Sequence, residues 1–438
     1  MKLYDSATNK LYEVINKQVS IYNCGPTVYN DIHIGNARPL ITFDVLYRYL
    51  ETLNYQVTYI HNITDIDDKI INKAKSLSKT EKEIATIYYQ NYVDIMRELN
   101  IKPMTLPKVS ENMQAIIDYI NKLVQGGWAY VKEGDVYFDV SKSTNYGFVS
   151  HQNIDALLAG VRKQVNPKKN NPLDFTLWKQ TEVGLNWKTP WSTGRPGWHT
   201  ECAVLINKYV GDHVTIHGGG IDLKFPHHEN ENAQNQALFK RNIADIWMHV
   251  GHIDINNEKM SKSVGNFVLV KDLLKKYSGG DIRWFIYQSK YQNPLNFSEE
   301  LLEKSSETKL KLYQQINAAF IQMALNDYQP LTTKAILPND FVTAMNEDLD
   351  LPNAITAIWK YTKGLNKLIR NKDYATLSAN VNNLIKTLEI LGLTYWNPST
   401  DPVISSLISE WKNALQQKNY SLADSYRQKL MDMRIISG

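Results

Sequence analysis

Residues 18–65 read QVSIYNCGPTVYNDIHIGNARPLITFDVLYRYLETLNYQVTYIHNITD, and this stretch decides the fold class. Gln18–Asn23 is a short apolar run closed by the turn-forming Cys24-Gly25-Pro26, which predicts a strand. From Arg38 onward Leu40, Phe43, Leu46, Tyr47 and Leu50 recur at helical spacing, with Pro39 suited to a first turn. Gln56–Asn62 predicts the next strand. Strand, helix and strand in that order make a βαβ unit, hence a parallel sheet with a right-handed crossover. Ligands of such sheets bind beyond the C-terminal strand ends, where Cys24-Gly25-Pro26 and Asn62-Ile63-Thr64-Asp65 would lie.

The same alternation resumes farther along, with a strand at His213–His217, a helix at Glu229–Phe239 and a strand at Ile246–His252. Between them the pattern changes: Ser110–Gln125 is helical, with Ile116, Ile117, Ile120 and Leu123 on one stripe, Gly134–Val140 alternates like a strand, and Asn166–Asn171 is a loop. From about residue 299 the chain is helical in pattern, with Phe341, Met345, Ala354, Ile355, Ile358 and Trp359 on apolar faces. Ser421 with Asp424 gives a weak N-cap signal ahead of Leu422, Ala423, Tyr426 and Leu430. The expected architecture is α/β: a Rossmann-like, parallel-sheet nucleotide-binding catalytic domain split by an insertion, then an all-α C-terminal bundle. The expected divisions are 1–105, an insertion at 106–195, 196–255, a loop region at 256–320, and a helical domain at 321–438.

Composition bounds the class. The 438 residues suffice for two to four domains, and 21% charged with 43% hydrophobic residues is ordinary for a globular protein. That excludes collagen-like, disordered and disulfide-scaffold classes. No window approaches the roughly 18 apolar residues of a membrane helix, and MKLYDSATNKLYEV lacks a signal-peptide core, so a cytoplasmic protein without membrane contact is expected. The net charge of +4 permits a nucleic-acid partner without demanding one. With only Cys24 and Cys202, the options are two buried free thiols or two metal ligands.

Three elements carry chemistry. His33-Ile34-Gly35-Asn36 lies between the first strand and its helix, where glycine admits a close ligand and His33 and Asn36 can face polyphosphate near the positive helix end. Lys259-Met260-Ser261-Lys262-Ser263 offers two lysines and two serines that can clamp phosphates. Each alone is weak, since a βα-loop histidine or a surface lysine pair is commonplace. The third is Pro226-His227-His228-Glu229-Asn230-Glu231, which puts His227 and Glu231 at i and i+4. With Cys24 and Cys202 they make a tetrahedral zinc set. The bland alternative is a buried thiol, a capping histidine and a solvated glutamate.

The first two elements, in this order around a split parallel domain, resemble the class I aminoacyl-tRNA synthetases, whose motifs are His-Ile-Gly-His and Lys-Met-Ser-Lys-Ser. Cys-Gly-Pro-Thr-Val-Tyr (24–29), Asn-Ile-Thr-Asp-Ile-Asp-Asp-Lys (62–69), Gly-Arg-Pro-Gly-Trp-His-Thr-Glu-Cys (194–202), residues 217–231 and Pro294–Glu299 resemble the cysteinyl-tRNA synthetase family over nearly the whole chain. That resemblance implies Zn²⁺ on Cys24, Cys202, His227 and Glu231, and cysteine on Gly25, Thr64, Trp198 and Asp222. It implies ATP, with Mg²⁺, along Thr27, His33, Gly35, Asn36, Lys259, Ser261 and Lys262, and catalysis by His33, Asn36 and Lys262. The implied reaction is formation of cysteinyl-adenylate and transfer of cysteine to tRNA(Cys) by a monomer, with 256–320 as the motif loop and stem-contact region and 321–438 as a helical tRNA-binding domain. A ligase joining cysteine to an amino sugar through the same adenylate, or a silent tRNA-binding paralogue, would share much of this pattern. Two departures stand out: Asn36 replaces the last histidine of the first motif, and the chain stops at Arg434–Gly438 where the family continues into an acidic, Trp-containing tail. A reduced anticodon-reading surface is the expectation from the second.

Overall fold

A computed structural model describes residues 1–152, 167–256, 258–259, 266–330 and 334–437. The chain forms two compact units.

The first unit comprises Met1–Lys275 with Tyr291–Leu295. Its centre is a four-stranded sheet of β1 (Gln18–Asn23), β2 (Gln56–His61), β3 (Val214–Gly220) and β4 (Ala244–Val250), in the order β4-β3-β1-β2. Every neighbouring pair is parallel, with Asn23 opposite both His61 and Gly218. Helix α1 (Ile34–Thr52) carries the chain from β1 to β2 on one side, and β3 lies on the other side. The order therefore reverses between β1 and β3, which opens a crevice at their C-terminal ends. Ile21, Tyr22, Ile60, Val214, Ile216, Trp247 and Val250 are buried, as a sheet covered on both faces requires.

Among the boundaries that differ from the sequence reading, two bear on the site. Helix α1 starts at Ile34, not Arg38, because Asn36 Oδ1 accepts the His33 N–H at 3.2 Å and closes the first turn early. Pro39 is thus inside the helix. Strand β3 runs past His217 through Gly218-Gly219-Gly220, where glycine is a poor strand former. Close packing demands it: a Cβ on Gly218 would lie 1.8 Å from the Met248 carbonyl oxygen.

The insertion holds more strand than its pattern suggested. Behind the helix Met113–Gln125, Ala129–Lys132, Asp135–Phe138, Phe175–Gln180, Thr193–Pro196 and Trp187–Lys188 form, in that spatial order, a five-stranded antiparallel sheet. Asp135–Phe138 is the strand that the alternation at Gly134–Val140 marked, whereas Trp187–Lys188, with two residues, is too short to show a period. Helix α2 (Asp68–Ser76) is tied to this sheet where Asp68 meets Arg195 and Lys179. Helices α3 (Trp198–Tyr209) and α4 (Glu229–Phe239) flank β3 in sequence.

The second unit comprises Lys276–Lys290 with Asn296–Gly438. Its helices include Gly279–Ile286, α5 (Glu299–Leu325), α6 (Leu351–Arg370), Tyr374–Ile390, Pro402–Gln416 and Tyr420–Asp432. Gly279–Ile286 joins α5 well ahead of residue 299, with Trp284 Nε1 donating to Thr308 Oγ1 at 3.1 Å. The last helix is capped by Asn419, which accepts the Leu422 N–H, rather than by Ser421. No helix among the described residues is long and apolar enough to cross a membrane.

Candidate active site

Cys24 leaves the end of β1 with its N–H on the Gly218 carbonyl at 3.0 Å, so the crevice between β1 and β3 begins at a thiol. Cys202 comes from α3, and the first turn of α4 with the turn before it supplies Glu231 and His227. The two sulfurs are 3.6 Å apart, Cys24 Sγ is 3.7 Å from Glu231 Oε1, and His227 Nε2 is 2.8 Å from that same oxygen. All four donor atoms lie within 4.8 Å of one another. Tetrahedral zinc, with Zn–S of about 2.3 Å and Zn–N or Zn–O of about 2.0–2.2 Å, spaces neighbouring donors about 3.4–3.8 Å apart. The sulfur–sulfur and sulfur–oxygen separations fit that spacing, and a small opening of the His227–Glu231 contact completes it.

The electrostatics suit a cation. Burial pushes the Cys202 thiol up, but hydrogen bonds from Cys24 and His227 outweigh it and bring Cys202 down to about 6. Burial, the hydrogen bond to Cys202 and the neighbouring charges hold Cys24 well above the usual thiol range, so one proton stays between two sulfurs. Burial pushes Glu231 up, yet His227 and His217 outweigh that and hold it at about 2, while Glu231 and Cys202 raise His227 to about 10 against its burial. A second grouping, Cys24, His217, His228 and Glu231, is equally compact. It offers one sulfur where the first offers two, and a thiolate pair is the softer and more charge-compensating seat.

Around the four donors lies a shell that the sequence reading did not single out. His217 Nδ1 faces the Tyr22 carbonyl at 3.0 Å and its Nε2 reaches Glu231 Oε2 at 2.7 Å, fixing the carboxylate. Ser6 Oγ lies 3.0 Å from the Trp247 carbonyl oxygen and 2.5 Å from His249 Nδ1. His249 Nε2 lies 2.8 Å from His228 Nδ1, and His228 Nε2 lies 3.4 Å from Cys24 Sγ, so the chain of contacts ends on a donor sulfur. Burial drives His228 and His249 well below the ordinary histidine range, which keeps this chain neutral. His199 Nδ1 lies 3.1 Å from His227 Nδ1, and burial lowers His199 to about 3. The available signal was histidine at the C-terminal ends of two buried parallel strands, where a solvated residue has no place.

Above this cluster opens a cleft of 290 Å³. Cys24, Gly25, Thr27, His33, Gly35, Asn36, Trp198 and Asp222 are among the residues that line it. Gly25 is required by close approach, since a Cβ there would lie 1.6 Å from the Asn62 carbonyl oxygen. Trp198 stacks on His227 with ring centres 4.1 Å apart, linking the cleft wall to the donor cluster. His33 Nδ1 is buried and has no partner among the described residues, and burial lowers its pKa although Asp222 opposes this. Thr64 does not line the cleft: it is 1% exposed and donates its hydroxyl to Glu201 Oε2 at 3.0 Å. Lys259 lies in a short strand, while its side chain, Ser261 and Lys262 are outside the described residues. The segment that follows is joined to the first motif, with Ile34 N–H on the Val268 carbonyl and Val270 N–H on the Ile32 carbonyl.

Residues 10–307 match the family described as the tRNA synthetases class I (C) catalytic domain, and residues 340–395 match the DALR domain. A Cysteine–tRNA ligase of Ureaplasma parvum is 47% identical over 437 residues, covering 100% of both chains. A Cysteine–tRNA ligase of Bacillus cytotoxicus is 41% identical over 99% of this chain and 96% of that one. Among solved structures, Mycobacterium tuberculosis methionyl-tRNA synthetase with methionyl-adenylate superposes with a TM-score of 0.64 over 91% of each chain at 13% identity. Agrobacterium radiobacter K84 LeuRS with tRNA and LeuAMS gives a TM-score of 0.65 over 88% of this chain and 86% of that one at 10% identity. At such identities these two establish the fold alone.

Proposed function

The chain belongs to the cysteine–tRNA ligases of class I, and from that premise we propose how its own residues divide the work. The enzyme joins cysteine to tRNA at the expense of ATP. Cys24, Cys202, His227 and Glu231 hold one Zn²⁺ at the floor of the cleft, and this four-donor cluster is the observation that carries the reading. Zinc, when bound, supplies a soft Lewis acid that prefers the thiolate of cysteine to the neutral hydroxyl of serine.

The other roles belong to side chains around the cleft. Asp222 takes the substrate ammonium, and Gly25 and Trp198 shape the wall against which the amino acid lies. Thr64 acts from behind, holding Glu201 beside Cys202. The substrate carboxylate is already a nucleophile and needs no general base. Its oxygen bonds to the α-phosphorus of ATP as the bond to pyrophosphate breaks, and His33, Asn36 and Lys262 stabilise the charge that develops. Thr27, Gly35, Lys259 and Ser261 position the nucleotide, whose phosphates carry Mg²⁺. In the second step a terminal ribose hydroxyl of tRNA(Cys) attacks the adenylate carbonyl and AMP leaves. The substrates are L-cysteine, ATP and tRNA(Cys), and the enzyme acts as a monomer in the cytoplasm. The domain divisions expected from the sequence assign tRNA contact to the helical part, where the DALR match lies. Matches that name a tRNA ligase leave the amino-sugar ligase and the silent paralogue without support.

The test joins metal analysis to ATP–pyrophosphate exchange. Purified protein should carry about one zinc and exchange with cysteine far better than with serine. Cys202→Ser should lose the metal and at least about a hundredfold of cysteine-dependent exchange. Retention of both by Cys202→Ser would reduce the sulfurs to core residues.

A further inference from the structure

We propose that Lys69 is a phosphate-binding residue of the cleft, outside both nucleotide motifs. This rests on the cysteine–tRNA ligase reading above. Lys69 lines the cleft together with Tyr29 and Trp198. Its ammonium lies 5.7 Å from the Tyr29 ring centre and 5.9 Å from that of Trp198, so two aromatic walls hold it at the opening. Two aspartates precede it, and neither neutralises it. Asp67 spends its carboxylate on the Lys69 backbone N–H at 2.7 Å as the cap of α2, and Asp68 is drawn to Arg195 and Lys179. Among the described residues the Lys69 ammonium makes no ion pair, although it is the cleft-lining lysine next to the wall residue that stacks on His227.

An exposed, preoriented ammonium facing a ligand cleft asks for an anion. The proposed reaction brings two phosphates there: the α-phosphate of the adenylate, and the phosphodiester that precedes the terminal ribose of tRNA. Lys73, at i+4 and so on the same face of α2, adds a second ammonium beside the cleft-lining one, 5.8 Å from the Tyr88 ring centre. A polyanion would follow both ammoniums, as a tRNA end does and a nucleoside monophosphate does not.

The experiment uses full-length, zinc-loaded protein and compares Lys69→Met and Lys69→Arg with the unaltered enzyme. ATP–pyrophosphate exchange with cysteine reads the first step, and single-turnover transfer from preformed adenylate to tRNA reads the second. One charge-assisted contact corresponds to about a ten- to hundredfold loss in Lys69→Met, partly restored in Lys69→Arg. A loss confined to transfer, with the log–log salt slope of tRNA binding reduced by about 0.7, identifies the tRNA phosphodiester. A loss already present in exchange identifies the α-phosphate. Unchanged rates in both steps, or equal losses in both variants with a lowered melting temperature, overturn the proposal. An unaltered enzyme inactive with cysteine would instead refute the underlying reading.

Discussion

Helix α6 is buried along one face and α4 on every face of its first two turns, and the two are built on opposite principles. Helix α6 buries Leu351, Ala354, Ile355, Ala357, Ile358 and Leu365 and turns Lys360, Lys363 and Lys367 outward. Helix α4, of sequence ENENAQNQALF, buries Glu229, Asn230, Glu231, Asn232, Gln234 and Asn235, each at 2% exposure or less. Its polar groups are individually met: Glu229 accepts the Ser150 N–H at 2.7 Å, Asn230 the Tyr146 hydroxyl at 2.5 Å, and Asn232 the Ile243 N–H at 3.0 Å. Even so, Glu229 Oε1, Gln234 Oε1 and Asn235 Oδ1 have no partner among the described residues. Buried polar groups gain little net stability and cost much if one partner is lost. Helix α6 supplies cohesion, whereas α4 gives up cohesion to hold Glu231 in one place.

The sharpest way to break this contrast is at two polar contacts of nearly equal length. His217 Nε2 and Glu231 Oε2 are 2.7 Å apart with both side chains 0% exposed, whereas Lys360 Nζ and Asp340 Oδ2 are 2.6 Å apart at 76% and 58% exposure. His217→Leu leaves a buried carboxylate short of one partner. The expected cost is about 3–5 kcal/mol of stability in the metal-free protein, read from denaturant midpoints. Zinc affinity should also fall about ten- to a hundredfold, since His217 orients a ligand. An unmoved midpoint and unaltered metal affinity would mean that α4 needs no such support.

A smaller effect of the opposite kind is expected in α6. Ile358 is fully buried among apolar neighbours, so Ile358→Val should cost about 0.5–1.5 kcal/mol of stability and leave cysteine-dependent exchange unchanged. A fall in exchange at temperatures where the variant stays folded would give the helical unit a part in adenylate formation, contrary to the division proposed here.

What could be read in advance follows the same contrast. Apolar periodicity reveals elements that bury one oily face, and so the βαβ stretch and the stripe containing Ile355 and Ile358 were legible. The cluster of Cys24, Cys202, His227 and Glu231 was legible for another reason: two lone cysteines and an i, i+4 His–Glu pair lie in motifs that resemble a known family. His228, His249 and Ser6 were not, because their meaning arises from β1, β3, β4 and the N-terminal turn meeting in space. Likewise, Thr64 in a sequence motif suggested substrate contact, and only the fold shows its hydroxyl committed to Glu201. The antiparallel sheet of the insertion escaped because strands such as Trp187–Lys188 are shorter than any period.

The smallest expected effect completes the comparison, and its smallness is the point. Lys360 and Asp340 are close enough for a strong hydrogen bond, and distance alone would rank this pair with His217–Glu231. Solvent makes the difference. Around exposed charges water screens the attraction, and fixing a long lysine side chain loses rotamer entropy of similar size. Lys360→Met keeps the helix-forming stem while removing the charge, so the change isolates the ion pair. The shift in stability should stay within about 0.5 kcal/mol and vanish at high salt, where even the residual attraction is screened. A loss above about 1.5 kcal/mol would show that this surface pair contributes like a buried one, and the division between a cohesive helix and a polar, site-holding helix would then no longer rest on burial.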